Sequence, residues 1–227
     1  MNIQGFQKMT LLDFPGAVAC TVFTGGCNLR CPFCHNADLV RTPTMYVNML
    51  PQVMEYLEKR KGLIDGVCVT GGEPLLQPDL QEFLKTVKEM GYRIKLDTNG
   101  SLPDKLSRIL KTGYIDYVAM DVKSSLENYP VAIGGETDVA LFQESMHILQ
   151  NSGIPYEFRT TVVKGIHTPD DIEAIAKLLK GEERFFLQTF KDSGNLLQGG
   201  FEAFSHQEMT AMLSTVKQYV PNAELRG

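Results

Sequence analysis

Residues 66–96 read GVCVTGGEPLLQPDLQEFLKTVKEMGYRIKL, and the spacing of their apolar positions changes twice along the stretch. Gly66–Val69 is a short β-rich run. Leu80, Phe83, Leu84 and Val87 then recur at the spacing of one helix face. Pro78-Asp79 opens that helix and Gly91 stops it, the usual start and stop chemistry. Tyr92–Leu96 returns to a β-rich run. The same alternation extends both ways. Further strand candidates are Ala17–Phe23, Ile115–Met120, Tyr156–Val163 and Arg184–Phe190. Helical stripes fall at Leu50, Val53, Met54 and Leu57; Leu106, Ile109 and Leu110; Phe142, Met146 and Leu149; and Ile172, Ile175, Ala176 and Leu179. The last stripe, Met209, Met212, Leu213 and Val216, follows the capping-box pattern Ser205-His206-Gln207-Glu208. Six strand–helix units predict an α/β fold with a parallel sheet covered by helices. An open doubly wound sheet and a curled partial barrel both satisfy the periodicity. In either, ligands bind where strands end and loops begin.

The chain has 227 residues, 43% hydrophobic and 22% charged, which suits one soluble globular domain over 1–227. Its net charge of -5 argues against a nucleic-acid or anionic-membrane partner. No secretory signal opens it and no apolar run is long enough to span a bilayer, so the expected location is the cytoplasm. Five cysteines, three within one short stretch, do not make a disulfide framework. Cys20 and Cys68 lie inside β-like runs and read as buried small hydrophobes.

The loop over residues 24–36 follows the first predicted strand and contains Gly25-Gly26-Cys27-Asn28-Leu29-Arg30-Cys31-Pro32-Phe33-Cys34, a C-x3-C-x2-C spacing. Three thiolates on one loop can reach one metal centre, and soft sulfur favours zinc or iron–sulfur. Structural zinc takes four ligands, usually from two separated pairs. His35 adjoins Cys34 and is poorly placed to be the fourth. An iron–sulfur cluster with one free iron fits better, with a zinc loop or a redox dithiol as the alternatives.

Thr70-Gly71-Gly72-Glu73-Pro74 follows the second predicted strand, and its glycines allow close backbone approach to a ligand. Asp97-Thr98-Asn99-Gly100 leaves the third and Met120-Asp121-Val122-Lys123 the fourth. Arg159 lies within the fifth and Gln188 within the sixth. Each reads as an ordinary turn or strand residue on its own. Together they open onto the face that carries the cysteine loop. There two carboxylates could hold a cation, and an inward arginine could bind a carboxylate.

These motifs resemble the radical SAM (S-adenosylmethionine) proteins. Leu12-Asp13-Phe14-Pro15-Gly16, His35-Asn36 and Asp97-Thr98-Asn99-Gly100 narrow the resemblance to the glycyl-radical-enzyme activases, and within them to the longer activating proteins of anaerobic ribonucleoside-triphosphate reductase. The resemblance covers nearly the whole chain. It implies a partial (β/α)6 barrel and one [4Fe–4S] cluster on Cys27, Cys31 and Cys34, its fourth iron chelated by the amino and carboxylate groups of SAM. Phe33 and His35 would contact SAM and its adenine. Gly71, Gly72 and Glu73 would receive its amino group, with Asn99 among the cofactor-binding positions. Asp97, Thr98 and Asp121 would hold a monovalent cation. Lys123 and Arg159 would meet the SAM carboxylate and ribose. Related activases have a histidine at the end of the sixth strand, where this chain offers Gln188 or Lys191. Cys68 is the one cysteine between Cys34 and Gly71, so no ferredoxin-like insertion with a second cluster is expected.

The implied activity is that of an oxidoreductase. An electron from flavodoxin or ferredoxin splits SAM, and the resulting 5′-deoxyadenosyl radical removes the Cα hydrogen of a glycine on a partner, anaerobic ribonucleotide reductase first. The alternatives are another glycyl radical enzyme, a peptide or a small molecule as target. A non-enzymatic electron or metal carrier would need no glycine-rich SAM cradle. Asp13 is open to two roles, capping a turn or touching the incoming glycine loop.

Overall fold

A computed structural model describes residues 1–42, 47–192 and 194–227. Its centre is an eight-stranded sheet in sequence order: β1 Ile3–Thr10, β2 Ala19–Thr24, β3 Gly66–Gly71, β4 Arg93–Thr98, β5 Tyr117–Asp121, β6 Tyr156–Val162, β7 Phe185–Thr189 and β8 Glu224–Arg226. The pairs from β2 to β8 are parallel. Helices α1 Ala37–Arg41, α2 Leu50–Lys59, α3 Leu80–Glu89, α4 Pro103–Leu110, α5 Tyr129–Ile133, α6 Ala140–Gln150, α7 Pro169–Leu178 and α8 His206–Val216 connect them. β1 and β8 are the two edges, and one cavity is lined by residues of β3, β4, β5, β6 and β7 together. The sheet is therefore curled and open, a partial barrel.

All six predicted strands are present, and two more flank them. β1 runs antiparallel to β2 with irregular register, and its residues Gln7, Lys8 and Met9 are exposed, so no clean alternation marks it. β8 is three residues long, Glu-Leu-Arg, too short and polar to show a pattern. The sheet is thus parallel except for one edge. β3, β4 and β5 also end one or two residues later than their apolar runs suggest, at Gly71, Thr98 and Asp121. Asp97, Thr98 and Asp121 are consequently strand residues, aimed by the pleat rather than by a turn.

Alternation sorts each strand into two faces. Val67 and Val69, Ile94 and Leu96, Val118 and Met120, and Phe185 and Leu187 are fully buried on the face packed by helices. The opposite face carries Thr21, Cys68, Lys95, Asp97, Ala119, Asp121, Glu157 and Arg159 into the lumen. Cys20 and Cys68 are both fully buried, as expected. The N-terminal end of the lumen is plugged by Phe14, packed with Ala17, Ala19 and Tyr117. The Arg93 guanidinium lies 4.7 Å over the Phe14 ring. A Cβ at Gly66 would meet that ring at 2.9 Å. Asp13, just before the plug, accepts a 2.5 Å hydrogen bond from the Thr21 hydroxyl. Among the described residues, no helix is long and apolar enough to cross a membrane.

Candidate SAM and cluster site

The cysteine loop is irregular, yet backbone hydrogen bonds pin it along its length. Gly25 N–H donates to Asn2 O, Gly26 N–H to Leu39 O and Arg30 N–H to Ile133 O, while Pro32 O accepts from Gln198 N–H. The Asn36 side-chain amide reaches across to Gly71 O at 3.0 Å. Cys27, Cys31 and Cys34 thereby line one cavity of about 240 Å³. Burial raises all three thiols, Cys31 to about 11. The His35 ring stacks on Phe190, with centroids 5.4 Å apart. Three soft donors share a cavity, a donor set that fits a cluster with one iron left to a non-protein ligand.

The glycine loop closes one side. Gly71 has φ +117, in glycine's territory. A Cβ on Gly72 would fall 1.9 Å from Gly26 O, so no side chain fits between the two loops. Gly72 N–H donates to Thr24 O at 2.9 Å and Glu73 N–H to Gly26 O at 2.8 Å.

Every predicted site residue lines this cavity except Glu73. The Glu73 side chain is fully buried. Its Oε1 accepts from Leu75 N–H at 3.1 Å and from the Thr98 hydroxyl at 3.0 Å, and its Oε2 from Asn99 N–H at 2.7 Å. Burial pushes its pKa up to about 7 despite those donors. Glu73 is a strut joining the loops after β3 and β4.

The opposite wall is ionic. Arg159 places NH1 3.2 Å from Asp97 Oδ2 and NH2 2.9 Å from Asp121 Oδ1. Lys95 pairs with Asp97 Oδ1, and Lys123 Nζ is 2.8 Å from Asp121 Oδ2. All four carboxylate oxygens thus face cations of the chain itself. The Thr98 hydroxyl is engaged by Glu73 and by Gly100 N–H. Burial would raise both aspartates, but Arg159 with Lys95, and Arg159 with Lys123, hold Asp97 and Asp121 below the usual carboxylate range. Burial would likewise lower Lys123, and Asp121 reverses that. Arg159 and Lys123 line the cavity with the two aspartates, and Lys95 does not, so the wall is balanced in charge and presents two cationic groups that a ligand carboxylate could meet.

Gln188 lines the cavity, whereas Lys191 is exposed and lies outside it. Thr161, Leu29 and Val40 also line it and were not anticipated. Thr161 and Lys95 were readable, each two residues from a predicted site residue on the same strand face.

A family model for the radical SAM superfamily matches residues 21–179. The chain is 29% identical over 233 residues to a putative glycyl-radical enzyme activating enzyme of Methanocaldococcus jannaschii, covering 99% of this chain and 95% of that protein. It is 30% identical over 188 residues to the pyruvate formate-lyase-activating enzyme of Clostridium pasteurianum, covering 79% and 76%. Among solved structures, Streptococcus suis SuiB bound to precursor peptide SuiA aligns with TM-score 0.73 and 15% identity over 91% of this chain, which spans 48% of SuiB. Methylornithine synthase aligns with TM-score 0.65 and 16% identity, again over 91% of this chain and 63% of that one. At those identities the two structures share a fold.

Proposed function

Because the chain belongs to the radical SAM superfamily, we propose that it activates a glycyl radical enzyme, with anaerobic ribonucleotide reductase as the first partner to test. One observation carries the reading: three thiols, a side-chain-free glycine cradle and an ion-paired wall bearing Arg159 and Lys123 share one cavity. When bound, the [4Fe–4S] cluster and SAM supply one-electron cleavage of a carbon–sulfur bond and, from it, a 5′-deoxyadenosyl radical that abstracts hydrogen.

The chain's own residues bind, orient and exclude. Cys27, Cys31 and Cys34 would hold the cluster. Main-chain carbonyls at Gly71 and Gly72 would receive the SAM ammonium, with Glu73 and Asn99 fixing the loops around them. Arg159 and Lys123, held by Asp97 and Asp121, face the SAM carboxylate and ribose. Phe33 and the His35–Phe190 stack offer an aromatic surface for adenine, and Gln188 closes the rim. A monovalent cation at Asp97, Thr98 and Asp121 would have to displace Arg159 and Lys123, so in our reading those side chains serve as the counter-ions. No side-chain base is required. The electron donor is flavodoxin or ferredoxin, and we place the protein in the cytoplasm.

Anaerobic reconstitution should give about four irons and four sulfides per chain, and reductant with SAM should release 5′-deoxyadenosine. Adding the reductase should then produce a glycyl radical signal in electron paramagnetic resonance. Pyruvate formate-lyase is the second partner to test, because a relative bearing that activase's name covers 79% of the chain. SAM cleavage with neither partner activated would move the target to a peptide or a small molecule.

A further inference from the structure

Asn99 belongs by its motif to the SAM-binding positions, but its side chain is engaged with the cysteine loop. Its Oδ1 accepts from Ser101 N–H at 2.9 Å and from the Ser101 hydroxyl at 2.6 Å. Two donors on one atom settle which end of the amide is oxygen. The Nδ2 end therefore faces Asn28 Oδ1 at 3.1 Å and Cys27 Sγ at 3.7 Å. Asn28 Nδ2 completes a ring by donating to Ser101 Oγ at 2.8 Å. The Asn99 backbone N–H is fixed on Glu73 Oε2. Asn99 and Ser101 are each 6% exposed, so the amide is a nearly dry, rigidly held donor aimed at one thiol. Leu29 N–H reaches the same sulfur at 3.4 Å.

We infer that Asn99 is a positioning residue that sets the reduction potential through Cys27. The inference rests on the cluster reading above. Reduction adds one electron, from the flavodoxin or ferredoxin donor, and part of that negative charge falls on the ligand sulfurs. A fixed N–H donor stabilises the reduced form more than the oxidised form and raises the potential. Asn99 lies on the loop that also holds Glu73, so one short segment governs both the glycine cradle and the ease of reduction.

The test is a redox titration without SAM, followed by the resonance signal of the reduced cluster, on wild-type, Asn99→Leu and Ser101→Ala proteins of matched iron content. Asn99→Leu should show an about fivefold lower ratio of reduced to oxidised cluster at a fixed potential, the factor supplied by a hydrogen bond of ordinary net strength. Ser101→Ala, which removes only an orienting hydroxyl, should shift the ratio less and in the same direction. If Asn99→Leu fails to load, Ser101→Ala decides alone. Loaded variants titrating with wild type overturn the inference. A wild-type protein that takes up no iron overturns the reading and the inference together.

Discussion

Arg159 stands between Asp97 and Asp121, 3.2 Å from one carboxylate and 2.9 Å from the other. It bridges β4 and β6 through the lumen and occupies the place where two acids would otherwise repel. SAM affinity should therefore be the same in sodium, potassium or tetramethylammonium salts, as measured by equilibrium dialysis on the reconstituted protein. Arg159→Gln should bind SAM at least tenfold more weakly and become sensitive to the small cation. It should also cost about 3–5 kcal/mol of stability, as loss of one member of a buried ion pair does. The wild-type contribution is complete above the ordinary aspartate value of 3.8 and drains as pH falls below it, because the folded values are depressed.

Glu73 has the opposite sign. Its folded pKa is raised from 4.5 to about 7, so its contribution to stability declines as pH rises through that window. Glu73→Gln keeps the shape and removes the charge. The melting temperature of the cluster-free variant should gain on wild type by about 5 °C between pH 5 and pH 8. A gap that stays constant with pH would show that Glu73 is not the group titrating.

Gly72→Ala places a methyl group 1.9 Å from the Gly26 carbonyl, and neither neighbour is a side chain that can rotate away. The variant should lose SAM cleavage by two orders of magnitude or more while the helices remain, as read by 5′-deoxyadenosine release and circular dichroism.

Serine in place of Cys27, Cys31 or Cys34 should abolish the brown chromophore. Cys20→Ala and Cys68→Ala should retain a full complement of iron, since both thiols are buried and neither lines the cavity shared by Cys27, Cys31 and Cys34.

Phe14 is fully buried under the lumen and shares its contact surface with Arg93 and Tyr117. Phe14→Ala should cost about 3–5 kcal/mol in denaturant unfolding, with iron content per folded molecule unchanged.

Much of this is legible in the sequence, because strand and helix periods differ and three cysteines on one loop admit few chemistries. The ends of the chain were less legible. β1 lacks alternation and β8 is three residues long, so neither repeats a pattern. The site was legible as a set of positions but not as a set of partners. Glu73 reads as a ligand until its three donors are seen. Asp97 and Asp121 read as a cation site, and which cations of the chain stand on them, Arg159 and the lysines, is seen only in the structure. Asn99 reads with its own motif until Ser101 fixes which way its amide faces. In each case a residue type and a strand end were visible, while the pairing was not: Arg159, Thr98 and Asn28 come from other segments, and Ser101, Lys95 and Lys123, though two residues away, are set by the local backbone.

The cysteine loop takes its shape from main-chain bonds to Asn2, Leu39, Ile133 and Gln198, none of which involves a thiol. Those bonds need no iron–sulfur bond, so the scaffold should persist when iron is lost. Metal stripped by a burst of oxygen should then be replaceable in situ, leaving an enzyme that is bleached but repairable.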